Sequence, residues 1–184
     1  MKFQNLVAFA ALIVAGIPAF ANHVDYARSQ ISFVSTQMNV AVTGRFKQFT
    51  ARIAFDPAKP AASKAEIAVD LASVDTGSDE ADAEVVKKGW FNVLAFPDAK
   101  FVSDTVRKTG PDRYEATGKL SIKGMSQEVT APFGVKRSGD VATYEGGFTL
   151  KRLQFKIGEG IWSDTDTVAD DVQVKFLIVT TGNK

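Results

Sequence analysis

The sequence predicts an all-β protein: a single antiparallel β-barrel of about eight strands with one short helix inserted over residues 78–88. Three observations carry this reading. From residue 22 onward, apolar and polar residues alternate in short segments. Turn-forming residues separate those segments. Only one stretch carries the end signals of a helix.

In chain order, Ile31 and Phe33 flank Ser32, and Phe49, Ala51, Ile53 and Phe55 alternate with Thr50, Arg52 and Ala54. Ala65, Ile67, Val69 and Leu71 form the next face, followed by Phe101, Ser103 and Thr105. Tyr114, Ala116, Gly118, Leu120 and Ile122 come next, then Val129, Ala131, Phe133 and Val135. The last two segments run through Tyr144, Gly146, Phe148 and Leu150, and through Val172, Val174, Phe176 and Ile178. Between them lie Asp56-Pro57 with Lys59-Pro60, Gly110-Pro111-Asp112, Lys123-Gly124 and Ser138-Gly139-Asp140, all turn chemistry. The helix begins at Ser78 as N-cap, carries Asp79, Glu80, Asp82 and Glu84 early and Lys87-Lys88 late, and meets Gly89 at its end. That order of charges complements the helix dipole. Its acidic face reads as solvated.

The chain's 184 residues suffice for one sizeable domain. Closing the strands into a barrel removes the exposed edges that such a sheet would otherwise present. An eight-stranded barrel is just wide enough to be filled by side chains or to hold one small ligand. Inward candidates mix large residues (Phe33, Phe49, Phe55, Phe133, Phe148, Phe176) with small ones (Ala51, Ala65, Ala116, Gly118, Ala131, Gly146), and the pattern leaves both options open. Arg52, Glu66, Asp70, Glu115, Lys119 and Glu145 fall on the opposite face, so the strands do not fit a lipid-embedded outer-membrane barrel.

Residues 1–21 read as a secretory signal peptide. Lys2 precedes an apolar run from Leu6 to Ile17, and Ala19-Phe20-Ala21 supplies a small-x-small cleavage site. The run is shorter than the roughly twenty residues that span a bilayer. The expected mature chain, residues 22–184, starts at Asn22, carries no lipidated cysteine and is exported, to the periplasm or, in a single-membrane cell, to the outside. The whole chain has 22 basic and 21 acidic residues; Lys2 is the one charge before residue 22, so the mature chain carries 21 of each. Zero net charge disfavours nucleic-acid binding.

Catalytic groups are sparse. The absence of cysteine removes disulfides, thiol catalysis and thiolate metal sites. The one histidine, His23, sits next to the expected N-terminus, where it is a poor general base or ligand. Asp164-Thr165-Asp166 with Asp170-Asp171 partly resembles a calcium loop but lacks its glycine and terminal glutamate, and reads first as a solvated loop. The expectation is therefore no metal, no cofactor and no catalytic residue. Basic residues gather beside aromatics twice: Arg45 and Lys47 around Phe46, and Lys151, Arg152 and Lys156 around Phe155. Such groups at a barrel mouth would hold a polar or phosphorylated head group; the plainer reading is surface charge. Trp90-Phe91 with Phe96-Pro97 is the densest aromatic cluster, and it and Trp162 read either as a sealed barrel end or as the lining of a ligand entrance.

Several pieces, in order across about residues 25–180, resemble the YceI-like, polyisoprenoid-binding periplasmic proteins. They are Val42-Thr43-Gly44-Arg45-Phe46, Phe55-Asp56-Pro57, Ser73-Val74-Asp75-Thr76-Gly77, Trp90-Phe91-Asn92-Val93 through Phe96-Pro97 and Phe101, Gly118 to Gly124, and Arg152 with Phe155. The helix departs from the family: Glu80-Ala81-Asp82-Ala83-Glu84-Val85 stands where many members have an Arg-Asp-x-His-Leu-type stretch, so no head-group role carries over there. The resemblance implies a lipocalin-like barrel with an apolar cavity for an isoprenoid quinone, an isoprenoid phosphate or another long-chain lipid. A local basic patch around Lys151 and Arg152 leaves transient membrane contact open, and monomer and homodimer both stay open. On this reading Phe33, Phe49, Trp90, Phe91, Phe133, Phe148, Phe155 and Trp162 contact the ligand, and Arg45 and Arg152 hold its head group. Two other readings stay open: an interaction protein of stress responses with a filled barrel, and a carboxylate-dependent enzyme acting on such lipids.

Overall fold

A computed structural model describes residues 22–182; the expected signal peptide, residues 1–21, lies outside the described residues. The chain forms β1 (Asn22–Val24), β2 (Gln30–Gln37), β3 (Val40–Phe46), β4 (Phe49–Ala54), β5 (Lys64–Asp70) and β6 (Val74–Asp75). Then come α1 (Asp79–Val85), β7 (Asp98–Gly110), β8 (Arg113–Ile122), β9 (Met125–Ser138), β10 (Val141–Lys151) and β11 (Asp171–Gly182). All pairings are antiparallel, in the order β4-β5-β7-β8-β9-β10-β11-β2-β3-β6, with β1 added to the end of β11. The sheet curls round one core, and Tyr26 helps close the seam beside β4: its ring meets Phe49 edge-on at 5.5 Å and its hydroxyl accepts from the Ala51 amide at 3.4 Å.

Each of the eight expected segments is a strand, and the sheet contains three more. Two of these, β1 and β6, have three and two residues, too few to show a period. The third, β3, is mostly exposed, with only Val42, Gly44 and Phe46 turned inward, and no glycine or proline marks the turn before it. Met38 and Asn39 make that turn, both at positive φ (49° and 63°), as a two-residue hairpin requires. The helix starts as expected, with the Ser78 hydroxyl accepting from the Ala81 amide at 3.3 Å, but stops at Val85 rather than at residue 88.

Two of the small inward residues do a different job from the one expected. A Cβ at Gly118 would run into the backbone of Val102 and Ser103, and one at Gly146 into the Pro132 carbonyl and the Phe133 and Phe176 side chains. These glycines let strands approach closely where the sheet bends; they do not leave space. Ala65, Ala116 and Ala131 do face an interior void. The barrel has two unlike ends. At the rim end lie the turns Gly110–Arg113 and Ser138–Val141 and the segment after β4. At the far end lie the Lys123-Gly124 turn, α1 with the segment to Pro97, and the segment from Arg152 to Asp170.

Candidate functional site: an apolar cavity beneath a basic rim

Alternation along the strands places Ala65, Phe101, Ala116, Phe133, Phe148 and Phe176 around a cavity of about 130 Å³ in the middle of the barrel. Ile67, Phe101, Phe133, Phe148, Val174 and Phe176 pack on the core yet are only partly buried. Their free surface is part of the wall of this void. The one phenol in the wall is that of Tyr144, which is 3% exposed and whose hydroxyl has no hydrogen-bond partner. Burial pushes its pKa up, so it stays a neutral donor.

Toward the rim, Phe55 at the end of β4 separates the cavity from an open depression of about 850 Å³. Its ring stands edge-on to Tyr114 at 4.9 Å, to Tyr144 at 5.5 Å and to Phe133 at 6.1 Å. Edge-to-face packing of this kind holds rings in place by weak, replaceable contacts. The depression is bordered by Pro57, Pro111, Arg113, Lys136 and Arg137. The Arg137 guanidinium lies 5.9 Å from the Phe55 ring centre and the Lys108 ammonium 5.9 Å from that of Tyr114. Cations therefore sit directly above the aromatic layer, with Asp112 and Glu145 as the nearby acids.

The YceI-like domain matches residues 23–180. The chain belongs to this family. A UPF0312 protein of Azotobacter vinelandii is 31% identical over 191 residues, covering 95% of each chain. Among solved structures, Burkholderia cenocepacia BcnA is 44% identical with a TM-score of 0.85, over 86% of this chain and all of that one. A domain of Saccharophagus degradans described as polyisoprenoid binding shares the fold, with a TM-score of 0.72 at 18% identity over 89% of this chain and 99% of its own.

In this YceI-like chain, two of the ten residues expected to form the site, Phe133 and Phe148, line the cavity. Phe33 lies over Gly44, where no Cβ fits beneath its ring, and meets Phe46 at 5.6 Å; Phe46 meets Phe91 at 6.1 Å. Phe49 packs on Tyr26. Trp90 and Trp162 meet at 5.5 Å, and the Arg152 guanidinium lies 5.9 Å from the Trp90 ring. Phe155 is 1% exposed. These residues form a packed plug at the far end, which is the sealed-end alternative for that cluster.

The two arginines are otherwise engaged. Arg45 is exposed and donates to Asp75 at 3.0 and 3.1 Å, which holds the Asp75 carboxyl below its ordinary range. Arg152 requires a correction. It is buried, and its guanidinium donates to the carbonyls of Val168 (2.6 Å), Ile157 (2.8 Å), Ala169 (3.1 Å) and Gly158 (3.2 Å). It ties the 156–170 segment to the barrel and has no free face for a head group. Gly158 makes this possible: its φ is +79°, and a Cβ there would run into the Arg152 guanidinium. Lys123, also buried, secures the same segment by donating to the Lys156 carbonyl (2.6 Å) and to Glu159 (2.7 Å). Of the residues not assigned to the site from sequence, Phe55 and Tyr144 line the cavity and Arg137 borders the rim depression, all three near turns. Phe55 is on the alternating inward face, and that was the available signal.

The acidic segment is equally committed to structure. Asp164 accepts from the Asp166 amide (3.0 Å) and the Thr167 hydroxyl (2.8 Å), Asp170 accepts from the Leu153 amide (3.0 Å), and Asp171 pairs with Lys151 at 2.7 Å. No group of three or more metal-ligating side chains occurs among the described residues.

Proposed function

We propose that this protein is an exported, non-catalytic carrier for a long-chain amphiphile of isoprenoid type, working in the periplasm after removal of residues 1–21. The observation that carries this reading is the carbon-lined cavity beneath the Phe55 layer, continuous in direction with a rim that bears Arg113, Lys136 and Arg137. An apolar tail enters past Phe55 and the polar head stays at the rim, beside the cations. The fold shared with a domain described as polyisoprenoid binding supports the choice of ligand class. Burying about 300 Å² of tail gains roughly 7 kcal/mol before the costs of association, enough for stable loading without any covalent chemistry. The carboxylates of Asp164, Asp170 and Asp171 are tied into turns and an ion pair, which favours carriage over catalysis.

The test is native mass spectrometry of protein purified from a periplasmic extract without detergent, followed by solvent extraction. A discrete adduct of several hundred daltons recovered as an isoprenoid is the expected result. Ala116→Trp fills the cavity from its wall and removes the adduct. A bare chain that also refuses added quinones and isoprenoid phosphates overturns the proposal.

A further inference from the structure

The carrier reading meets a difficulty of size. A cavity of roughly 150 Å³ accommodates one benzene, and the cavity here is about 130 Å³. Several isoprene units do not fit unless the wall opens. The sheet shows where it opens.

Strands β9 and β10 run side by side from the turn at Ser138–Val141, and their ladder stops at the pair Phe133–Gly146. Both strands continue for another five residues or more. Beyond that pair, Met125–Pro132 bonds only to β8, and Gly147–Lys151 only to β11. The separation begins at Pro132, which has no N–H to give to a ladder, and beside Gly146-Gly147, where a Cβ would strike the Pro132 or Val174 carbonyl. Through the gap runs a groove of about 440 Å³, with Val129, Leu150 and Phe155 along it and Thr130, Thr149 and Gln127 at its edges. Phe148 borders both this groove and the interior cavity. One side chain therefore stands between the inside of the barrel and a furrow on its flank, whose open edges are polar and whose floor is the packed core.

We propose that the β9–β10 seam is a second, lateral opening, and that the part of an isoprenoid chain exceeding the interior passes the displaced Phe148 ring and lies along Val129, Leu150 and Phe155. The inference rests on the carrier reading and adds a binding site for the far end of the tail. The unpaired edges at the seam let β9 and β10 spread without breaking ladder bonds, and spreading uncovers the core side chains of Val129, Leu150 and Phe155, of which Leu150 and Phe155 are buried while the strands lie closed.

The chain lacks cysteine, so the seam can be locked cleanly. In Thr130→Cys/Thr149→Cys the new thiols replace two exposed residues that flank the groove; a bis-maleimide with a reducible link then bridges the strands. Displacement of N-phenyl-1-naphthylamine measures affinity for geraniol, farnesol and geranylgeraniol (ten, fifteen and twenty carbons). The open protein should bind more tightly as the chain lengthens. The bridged protein should keep its geraniol affinity and lose tenfold or more for geranylgeraniol, with recovery on reduction. Phe148→Ala, which needs no bridge, should favour geranylgeraniol over geraniol more than the wild type does. Equal geranylgeraniol affinity in bridged and reduced protein overturns the seam while leaving the carrier reading intact. So does an open protein that binds geraniol but not geranylgeraniol. Failure of all three alcohols to displace the dye from the open protein overturns the carrier reading and the seam with it.

Discussion

Replacing Arg152 with methionine keeps the length of the side chain and deletes its donors. Four hydrogen bonds to carbonyls disappear, those to Ile157, Gly158, Val168 and Ala169. The residue is 1% exposed, so water does not take its place without opening the segment. A buried acceptor left unpaired costs about 1–3 kcal/mol, and these carbonyls are partly relieved because each has a second lone pair. Removing the buried charge itself returns some of that loss, since Asp170 acts on it only through space and burial already disfavours the charged form. The balance is a loss of about 3–4 kcal/mol. In a domain of this size each kcal/mol shifts Tm by about 2–4 °C, so Arg152→Met should lower Tm by roughly 6–16 °C.

Arg152→Lys should fall between the two, because a compact ammonium keeps the charge but cannot fork to carbonyls on both sides. Thermal unfolding followed by circular dichroism measures the shift, and dye binding at 20 °C measures the site separately. Stability should fall while affinity at the rim is kept. A Tm drop under about 2 °C together with lost affinity for a phosphorylated isoprenoid would make Arg152 a head-group contact after all and refute the structural role argued from its carbonyl partners.

Gly158→Ala combines a positive φ with a collision against the same guanidinium, so it should cost about 2 kcal/mol or more, visible as a lower urea midpoint with an unchanged m-value. Glu159, held below its ordinary 4.5 by the Lys123 ammonium, contributes stability above that value and loses it as pH falls through its lowered pKa. The Tm difference between wild type and Glu159→Gln should therefore be full above about pH 5 and shrink as the pH falls below the ordinary carboxylate range. Met38, 71% exposed at φ 49°, tolerates its left-handed conformation poorly; Met38→Asn should raise stability by about 0.5–1 kcal/mol in chemical unfolding.

What was legible in the sequence was whatever has a period. Strands β2, β4, β5 and β7 to β11 each bury one face, so alternation reveals them, while β3 carries a fainter form of the same signal, with Val42, Gly44 and Phe46 turned inward and its other four residues exposed. The helix start was legible because a serine cap and an acidic first turn leave a sequence mark; its end was not, because the chain from Val86 winds into a compact loop held by backbone bonds such as Phe91 N–H to Val85 and Val93 N–H to Val86, which carry no side-chain signature. The site was harder to find for a different reason. Sequence places a cation beside an aromatic without saying which way either points. Arg152 beside Phe155 has the composition of a binding mouth, yet the chain after it turns back through Gly158 and wraps four carbonyls round the guanidinium. Arg137 follows Lys136 on an ordinary strand, with no aromatic within three residues of it, and becomes the cation over Phe55 only because the sheet curls β4 against β9 and β10. A cationic head-group site in such a barrel is thus set by which strand ends converge on the open rim, a property of closure that no local pattern records. The same holds for the seam: Pro132 and Gly146-Gly147 look like isolated strand weaknesses in the sequence, and only pairing β9 with β10 brings them together where the ladder stops.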